Sequence, residues 1–186
     1  LSITVPALGN VVRNVGHSNS KGIELSVNAT PLSTLSLQAS YGYTYAKMLE
    51  ANMGVGRDYS GNMLPLVPRH TLSASANYVV NNLGRFADKL MFNANLTGIG
   101  SLYWREDNAV KQRFYTLLNL KAAITRGIVT LEVWSRNKFT TDYLAYYFVA
   151  SKPMAQKGKP FTIGTTVGVK WQASSPVSVP KEEGSD

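Results

Sequence analysis

In the stretch Leu35-Ser36-Leu37-Gln38-Ala39-Ser40-Tyr41-Gly42-Tyr43-Thr44-Tyr45, every apolar or aromatic side chain is at an odd position and every small or polar one at an even position. Successive side chains of an extended strand point to opposite faces, so this period of two predicts a strand with one apolar and one polar face. The pattern recurs over 21–29, where Ile23, Leu25, Val27 and Ala29 alternate with Glu24, Ser26 and Asn28. It returns over 161–171, where Phe161, Ile163, Val167, Val169 and Trp171 alternate with Thr162, Thr166 and Lys170. Noisier strands are expected over 69–80, 89–103, 113–125 and 128–148, although Leu117-Leu118 and Tyr146-Tyr147-Phe148 are apolar on both faces. Strands of soluble domains average about five or six residues. Segments of ten or more match instead the ~9–11 residues that a tilted strand needs to cross a hydrocarbon layer.

The connections support the same class. A tight turn at Pro31-Leu32-Ser33 is followed by a long connection over 47–68 and an intermediate one over 81–88. A longer one then spans 104–112, a minimal turn falls at Arg126-Gly127, and a long connection spans 150–160. Membrane barrels alternate in this way, with short turns at one end and long loops at the other. Aromatic residues gather where strands leave the apolar band: Tyr41, Tyr43 and Tyr45, then Tyr103 and Trp104, then Trp171. Such rings suit an interface that is apolar on one side and wet on the other.

Composition removes several alternatives. Hydrophobic residues are 44% of the 186, yet no window approaches the ~18 consecutive apolar residues of a membrane-spanning helix. There is no cysteine, hence no disulfide framework and no thiolate metal site. The formal charge is +8, but the basic residues are dispersed singly (Lys21, Lys47, Arg57, Arg85, Lys121, Arg136), without the stripe that tracks a nucleic-acid backbone. No leader peptide precedes the first strands, so the chain is expected to start in mid-protein or to have lost its leader.

The order of motifs resembles the end of a TonB-dependent receptor of the bacterial outer membrane, in its Bacteroidetes style. Asn14-Val15-Gly16 leads to Ser20-Lys21-Gly22-Ile23-Glu24-Leu25, and Tyr41-Gly42-Tyr43-Thr44 precedes a long loop. Tyr59-Ser60-Gly61-Asn62, Leu64-Pro65 and Pro68-Arg69-His70 follow, then Tyr115-Thr116-Leu117-Leu118-Asn119 as the third-last strand. Leu131-Glu132-Val133 through Asn137-Lys138-Phe139 and Tyr143 resembles the penultimate strand, with the usual Asn-Leu-Phe-Asp altered, and Gly158-Lys159-Pro160 leads into the last. The likeness covers about residues 14–171. It implies an all-β fold of antiparallel transmembrane β-barrel strands, about seven or eight of a barrel of about 22. It also implies a plug and a TonB-contacting box that this chain lacks, so that its partners would be the remaining strands, the plug, TonB through the plug, membrane lipid and lipopolysaccharide. The family usually stops at its terminal aromatic, whereas fifteen residues follow Trp171 here. Residues 1–19 are expected to be a partial strand and loop, 20–171 the C-terminal barrel strands, and 172–186 a polar disordered tail. The implied role is import of a scarce bulky nutrient, whether siderophore, haem, cobalamin or glycan, with no catalysis and no cofactor.

The residue types that carry chemistry elsewhere are not assembled into a catalytic pattern. His17 and His70 are about fifty residues apart, with no cysteine or carboxylate cluster to complete a metal or general-base site, and His70 fits a strand entry beside Arg69. Glu106 and Asp107 are adjacent and would point to opposite faces if extended, so they fit a solvated loop tip and not a glycosidase pair. Gly54-Val55-Gly56 lacks the strand, third glycine and helix of a phosphate-binding loop. Asn28-Ala29-Thr30 and Asn95-Leu96-Thr97 match a glycosylation sequon inside expected strands, where an acceptor is not expected. The candidates for ligand contact are loop residues at the external mouth, Arg57, Tyr59, Arg105, Lys152 and Lys157. Their competing reading is as solvated charges or contacts to lipopolysaccharide.

Two rival classes remain. One is a complete barrel of about eight strands with an adhesive, structural or enzymatic role, whose eighth strand would have to be residues 2–12 despite Pro6 and Gly9. The other is a soluble β-sandwich that binds a ligand.

Overall fold

The computed structural model describes residues 2–5, 9–12, 16–52, 54 and 56–171, with the backbone alone over 2–12. The expected disordered tail, 172–186, lies outside the described residues. The chain is all β. A hairpin of β1 (Ser2–Val5) and β2 (Gly9–Val12) comes first. The main sheet comprises β3 (Ser18–Leu32), β4 (Leu35–Met48), β5 (His70–Asn81), β6 (Lys89–Gly100), β9 (Tyr115–Arg126), β10 (Val129–Arg136) and β13 (Thr162–Val169). These seven strands lie side by side in chain order and every neighbouring pair is antiparallel. Two hairpins extend its connections, β7 (Leu102–Tyr103) with β8 (Lys111–Gln112), and β11 (Leu144–Val149) with β12 (Pro153–Lys157).

The β3–β4, β5–β6 and β9–β10 connections are short, whereas those over 49–69, 101–114 and 137–161 are long. An up-and-down meander places the first set at one end of the sheet and the second at the other, as the alternation of lengths implies. Four details depart from expectation. The first turn is Ser33-Thr34, because β3 continues to Leu32 through a register shift between Ala29 and Leu32. Pro31, which has no N–H for the ladder, falls within that irregularity. The strand expected over 89–103 breaks at Gly100, whose φ of 122° is outside the strand region. The strand expected over 128–148 is two elements, since Asn137 (φ 49°) and Thr140 (φ 53°) turn the chain out of the sheet, and Tyr146-Tyr147-Phe148 belongs to the β11–β12 hairpin. Ser2–Val5 and Gly9–Val12 pair antiparallel as two strands, in place of a single strand over 2–12.

The sheet is a single layer. Among the described residues the buried apolar side chains are confined to Ala46, Met48, Ala51, Ala87, Leu102 and Ala123, and no large side chain is fully buried. A sandwich would bury the facing sides of two sheets, so the soluble sandwich is set aside. The main sheet is also open, with β3 and β13 as unjoined edges, which sets aside a closed eight-stranded barrel of the described residues.

Candidate functional site

Residues directly opposite one another in antiparallel strands share a face, so the register assigns each side chain. Across β3 and β4, Ile23 faces Tyr43, Leu25 faces Tyr41 and Val27 faces Ala39, while Glu24 faces Gly42 and Asn28 faces Gln38. Across β10 and β13, Val129 pairs with Val169 and Leu131 with Val167, while Glu132 pairs with Thr166 and Arg136 with Thr162. One face of the sheet is therefore apolar from edge to edge and the other polar. Ile23, Leu25, Val27, Ile163 and Val167 are each about two-thirds exposed, a costly arrangement in water for large apolar side chains along whole strands.

The polar face is tied together across strands. Asn93 Nδ2 donates to Asn77 Oδ1 at 2.6 Å, Thr125 and Thr130 share a hydroxyl bond at 3.0 Å, and Lys121 Nζ lies 3.1 Å from Glu132 Oε2. Trp134 Nε1 donates to Thr166 Oγ1 at 3.3 Å and the Arg136 guanidinium lies 4.9 Å from the Trp134 ring centre. The indole has room because the opposite residue is Gly164, where a Cβ would come within 2.4 Å of the ring.

At the long-connection end of the apolar face stands an aromatic group. His70 opens β5 opposite Tyr43 and accepts from or donates to the Tyr41 hydroxyl through Nδ1 at 2.8 Å. Its ring centre lies 5.3 Å from that of Tyr43 and 6.5 Å from that of Phe114. His70 opens a strand, as the sequence expects, while Tyr43 and Tyr45 lie toward the end of β4 and Tyr41 at its middle. His17 has different neighbours, with Nε2 at 4.0 Å from Glu50 Oε2.

Beyond this aromatic group, side-chain amides join the long connections to one another. Asn62 Nδ2 donates to the Glu106 carbonyl at 2.9 Å; Asn108 accepts from the Met63 N–H at 2.8 Å and donates to the Met63 carbonyl at 3.0 Å. The Leu66 and Arg69 N–H groups donate to the Tyr103 and Ser101 carbonyls. The β11–β12 hairpin joins this rim where the Leu144 N–H donates to Gln112 Oε1 at 2.9 Å and Trp104 meets Tyr146 edge to face, with ring centres 6.4 Å apart. Asn137, buried, donates to the Thr141 and Lys159 carbonyls and accepts from the Thr141 N–H. These amides were not singled out by the sequence; among them, Asn108 and Asn137 have φ near +50°.

The five loop candidates occupy this rim. Arg57 and Tyr59 are in the β4–β5 connection, with Arg57 exposed and Tyr59 half-buried. Arg105, at the tip between β7 and β8, pairs with Asp107 at 2.9 Å, and Asp107 also accepts from the Ala109 N–H; both are half-buried, where the sequence reading expects a solvated tip. Lys152 turns the β11–β12 hairpin, and Lys157 ends it with Nζ 4.0 Å from Asp142 Oδ1. They lie on three connections that the amides join, but no hydrogen bond or ion pair brings any two of the five together.

The comparisons with known proteins agree with this architecture. The model of the TonB dependent receptor-like β-barrel family matches residues 2–137. The fold is similar to that of the ferric yersiniabactin uptake receptor of Yersinia pestis, with a TM-score of 0.74 at 22% identity, over 86% of this chain and 24% of that one. It is similar also to the siderophore receptor PiuA of Acinetobacter baumannii, with a TM-score of 0.70 at 18% identity, over 91% of this chain and 24% of that one. The ferric preacinetobactin receptor of the same organism gives a TM-score of 0.68 at 18% identity, over 90% of this chain and 25% of that one. The chain thus spans about a quarter of the length of these receptors. With an open antiparallel sheet that is apolar on one face and polar on the other, and with that family's model matching most of its length, this chain belongs to the TonB-dependent receptor β-barrel family.

Proposed function

We propose that these strands are part of the C-terminal wall of an outer-membrane receptor that imports a scarce, bulky nutrient, with ferric siderophores as the cargo class. The observation that carries this is the pairing of one apolar with one polar face along strands of up to fifteen residues. In a bilayer the apolar face seals against lipid and the polar face lines the lumen, where the remaining strands and the plug would complete the receptor. Open edges at β3 and β13 favour such completion, since backbone groups left unpaired in hydrocarbon cost several kcal/mol each, roughly. Energy would come from TonB through the plug, and the long connections would share the cell exterior. The names of the similar receptors favour siderophores over haem, cobalamin or glycans. The Bacteroidetes-style order of motifs remains part of this reading, as do contacts with membrane lipid and lipopolysaccharide. Arg57, Tyr59, Arg105, Lys152 and Lys157 would meet cargo at the mouth.

Two measurements test it. In the full-length receptor, Val167→Arg should lower barrel stability by about 2–4 kcal/mol where the site is near the midplane, while Thr166→Arg, which loses only the exposed bond from Trp134, costs about 1 kcal/mol or less. Equal costs at the two positions would refute the assignment of faces. Cells lacking the receptor gene, fed ferric siderophores, haem, cobalamin or oligosaccharides in turn, should lose uptake of a siderophore alone; loss of another nutrient instead would replace the cargo class.

A further inference from the structure

The β11–β12 hairpin stands past the end of the main sheet and is clamped at its base. Tyr143, just before it, is stacked on Tyr115, the first residue of β9, with ring centres 4.5 Å apart and planes 13° from parallel. Gly158, just after it, lies against the same ring, since a Cβ there would come within 2.0 Å of it. The Gly158 N–H donates to the Tyr143 carbonyl at 2.8 Å, so both legs are joined where the hairpin begins. With the Leu144–Gln112 bond and the Trp104–Tyr146 contact, the hairpin is placed before any cargo arrives, and a preorganised surface loses little ordering entropy on binding.

What it presents is a row of rings. Tyr146 and Phe148 share a face of β11, with ring centres 5.5 Å apart, and Trp104 continues the row at 6.4 Å from Tyr146. Tyr146 is 53% exposed and Phe148 42%. In the proposed orientation they stand outside the hydrocarbon, so this exposure is to water, where contiguous rings mark a contact surface. Among the described residues the Trp104 Nε1–H, sealed from solvent, has no acceptor, and so leaves one donor unmet within the row. The charge beside it has one sign: residues 137–161 carry four lysines and one aspartate, and Lys152, at the hairpin turn, is in no ion pair among the described residues. Rings flanked by uncompensated positive charge fit a flat, anionic ligand.

We infer that this row takes the aryl groups of an anionic ferric chelate of the catecholate type. The aryl rings stack on Tyr146 and Phe148, Lys152 answers the charge, and the Trp104 N–H donates to a chelate oxygen once the half-exposed Tyr146 ring turns aside. Catecholate oxygens leave a ferric complex anionic and bring rings with them, whereas hydroxamate oxygens leave it neutral and bring none. The assignment deepens the siderophore reading and rests on it, and on the proposed exterior position of the long connections.

The test uses the full-length receptor, purified in detergent and titrated calorimetrically with defined probes: a ferric tris-catecholate, ferric citrate, which is anionic without rings, and a ferric tris-hydroxamate. The wild-type receptor should bind the catecholate roughly tenfold or more tighter than citrate, and the hydroxamate most weakly, a ranking that needs no substitution to fold. Tyr146→Leu and Phe148→Leu, which keep apolar bulk on the hairpin, should each weaken the catecholate roughly fivefold and leave citrate unchanged. Lys152→Gln should weaken catecholate and citrate alike, and less so at high salt. Trp104→Phe, which keeps a ring but has no N–H, should weaken the catecholate roughly fivefold. Equal affinity for catecholate and hydroxamate, full catecholate affinity in the two leucine variants, or no binding of the catecholate would each overturn the assignment and leave siderophore import standing. Cells without the receptor that keep uptake of every ferric siderophore would remove the import reading and the aryl site with it.

Discussion

At one end of the sheet the strands are joined by little more than backbone, at Ser33-Thr34 and at Gly127-Ile128, where Gly127 takes a φ of 56° and donates its N–H to Asp88. At the other end the connections over 49–69, 101–114 and 137–161 are shaped by side chains, with Asn62, Asn108 and Asn137 bonded to backbone in place of a ladder. The contrast shows two ways of satisfying backbone polar groups. A tight turn needs at most one partner from elsewhere in the chain, as Gly127 takes Asp88, whereas a long connection needs several.

The greatest loss is expected where that borrowing is deepest. Asn137 is 4% exposed and its amide serves the Thr141 N–H and the Thr141 and Lys159 carbonyls, at 2.8–3.0 Å. Asn137→Ala removes all three bonds from these part-buried groups and should cost about 3 kcal/mol, since each lost bond counts for roughly 1 kcal/mol. Urea unfolding of the full-length receptor, with protease cleavage in 137–161, measures it. A loss below about 0.5 kcal/mol, within the range of ordinary surface substitutions, would erase the contrast between the two ends.

At the other end a smaller effect is expected. Gly127 has open space where a Cβ would be added, so the cost of Gly127→Val is conformational and not steric. A left-handed φ costs a residue with Cβ roughly 1–2 kcal/mol, and the same unfolding measurement should find that loss with no added cleavage in the long connections. Cleavage in 137–161 caused by Gly127→Val would mean that the two ends are coupled through the strands.

The same contrast explains what was legible in the sequence. Period-two alternation in residues 35–45 and 161–171 shows strand faces directly, since each side chain reports its own orientation, and Arg126-Gly127 was readable as a turn because Gly127 by itself supplies the left-handed φ. The break after Arg136 was not readable. Trp134 to Val149 has enough apolar residues to continue as a strand, and the cause of the break is the buried amide of Asn137, whose partners include Lys159, twenty-two residues away. The break at Gly100 is of the same kind, as Arg69 N–H takes the Ser101 carbonyl from another connection. Within the candidate site, the five rim residues were chosen as polar side chains in expected loops, and the structure places all five in the long connections. The amides that join these connections were missed because nothing in a loop's composition marks an Asn as structural.

The smallest effect is expected where the long-connection end relies on an exposed local bond. Asp58 lies in the β4–β5 connection, and the Ser60 hydroxyl, then the Ser60 N–H at 2.9 Å, hold its carboxyl below the ordinary value of 3.8, against a minor opposing effect of burial. Ser60 in turn accepts the Ala51 N–H through its Oγ at 3.0 Å, and the Tyr59 N–H donates to the Ala51 carbonyl, so this carboxylate steadies the tip of the connection. Because the folded value is depressed, the contribution is fully present above about 3.8 and is lost as pH falls below that and through the lowered folded value. Hydrogen exchange of the Ser60 amide should therefore lose protection, relative to the intrinsic rate at each pH, as the solution is acidified below pH 4, while the Asn137 region keeps its own. Asp58→Asn, which has no charge to lose, should give low protection of Ser60 that does not change over the same pH range. Parallel acid loss in wild type and Asp58→Asn would assign the effect to other carboxylates and leave the Asp58 bond without a role in ordering this connection.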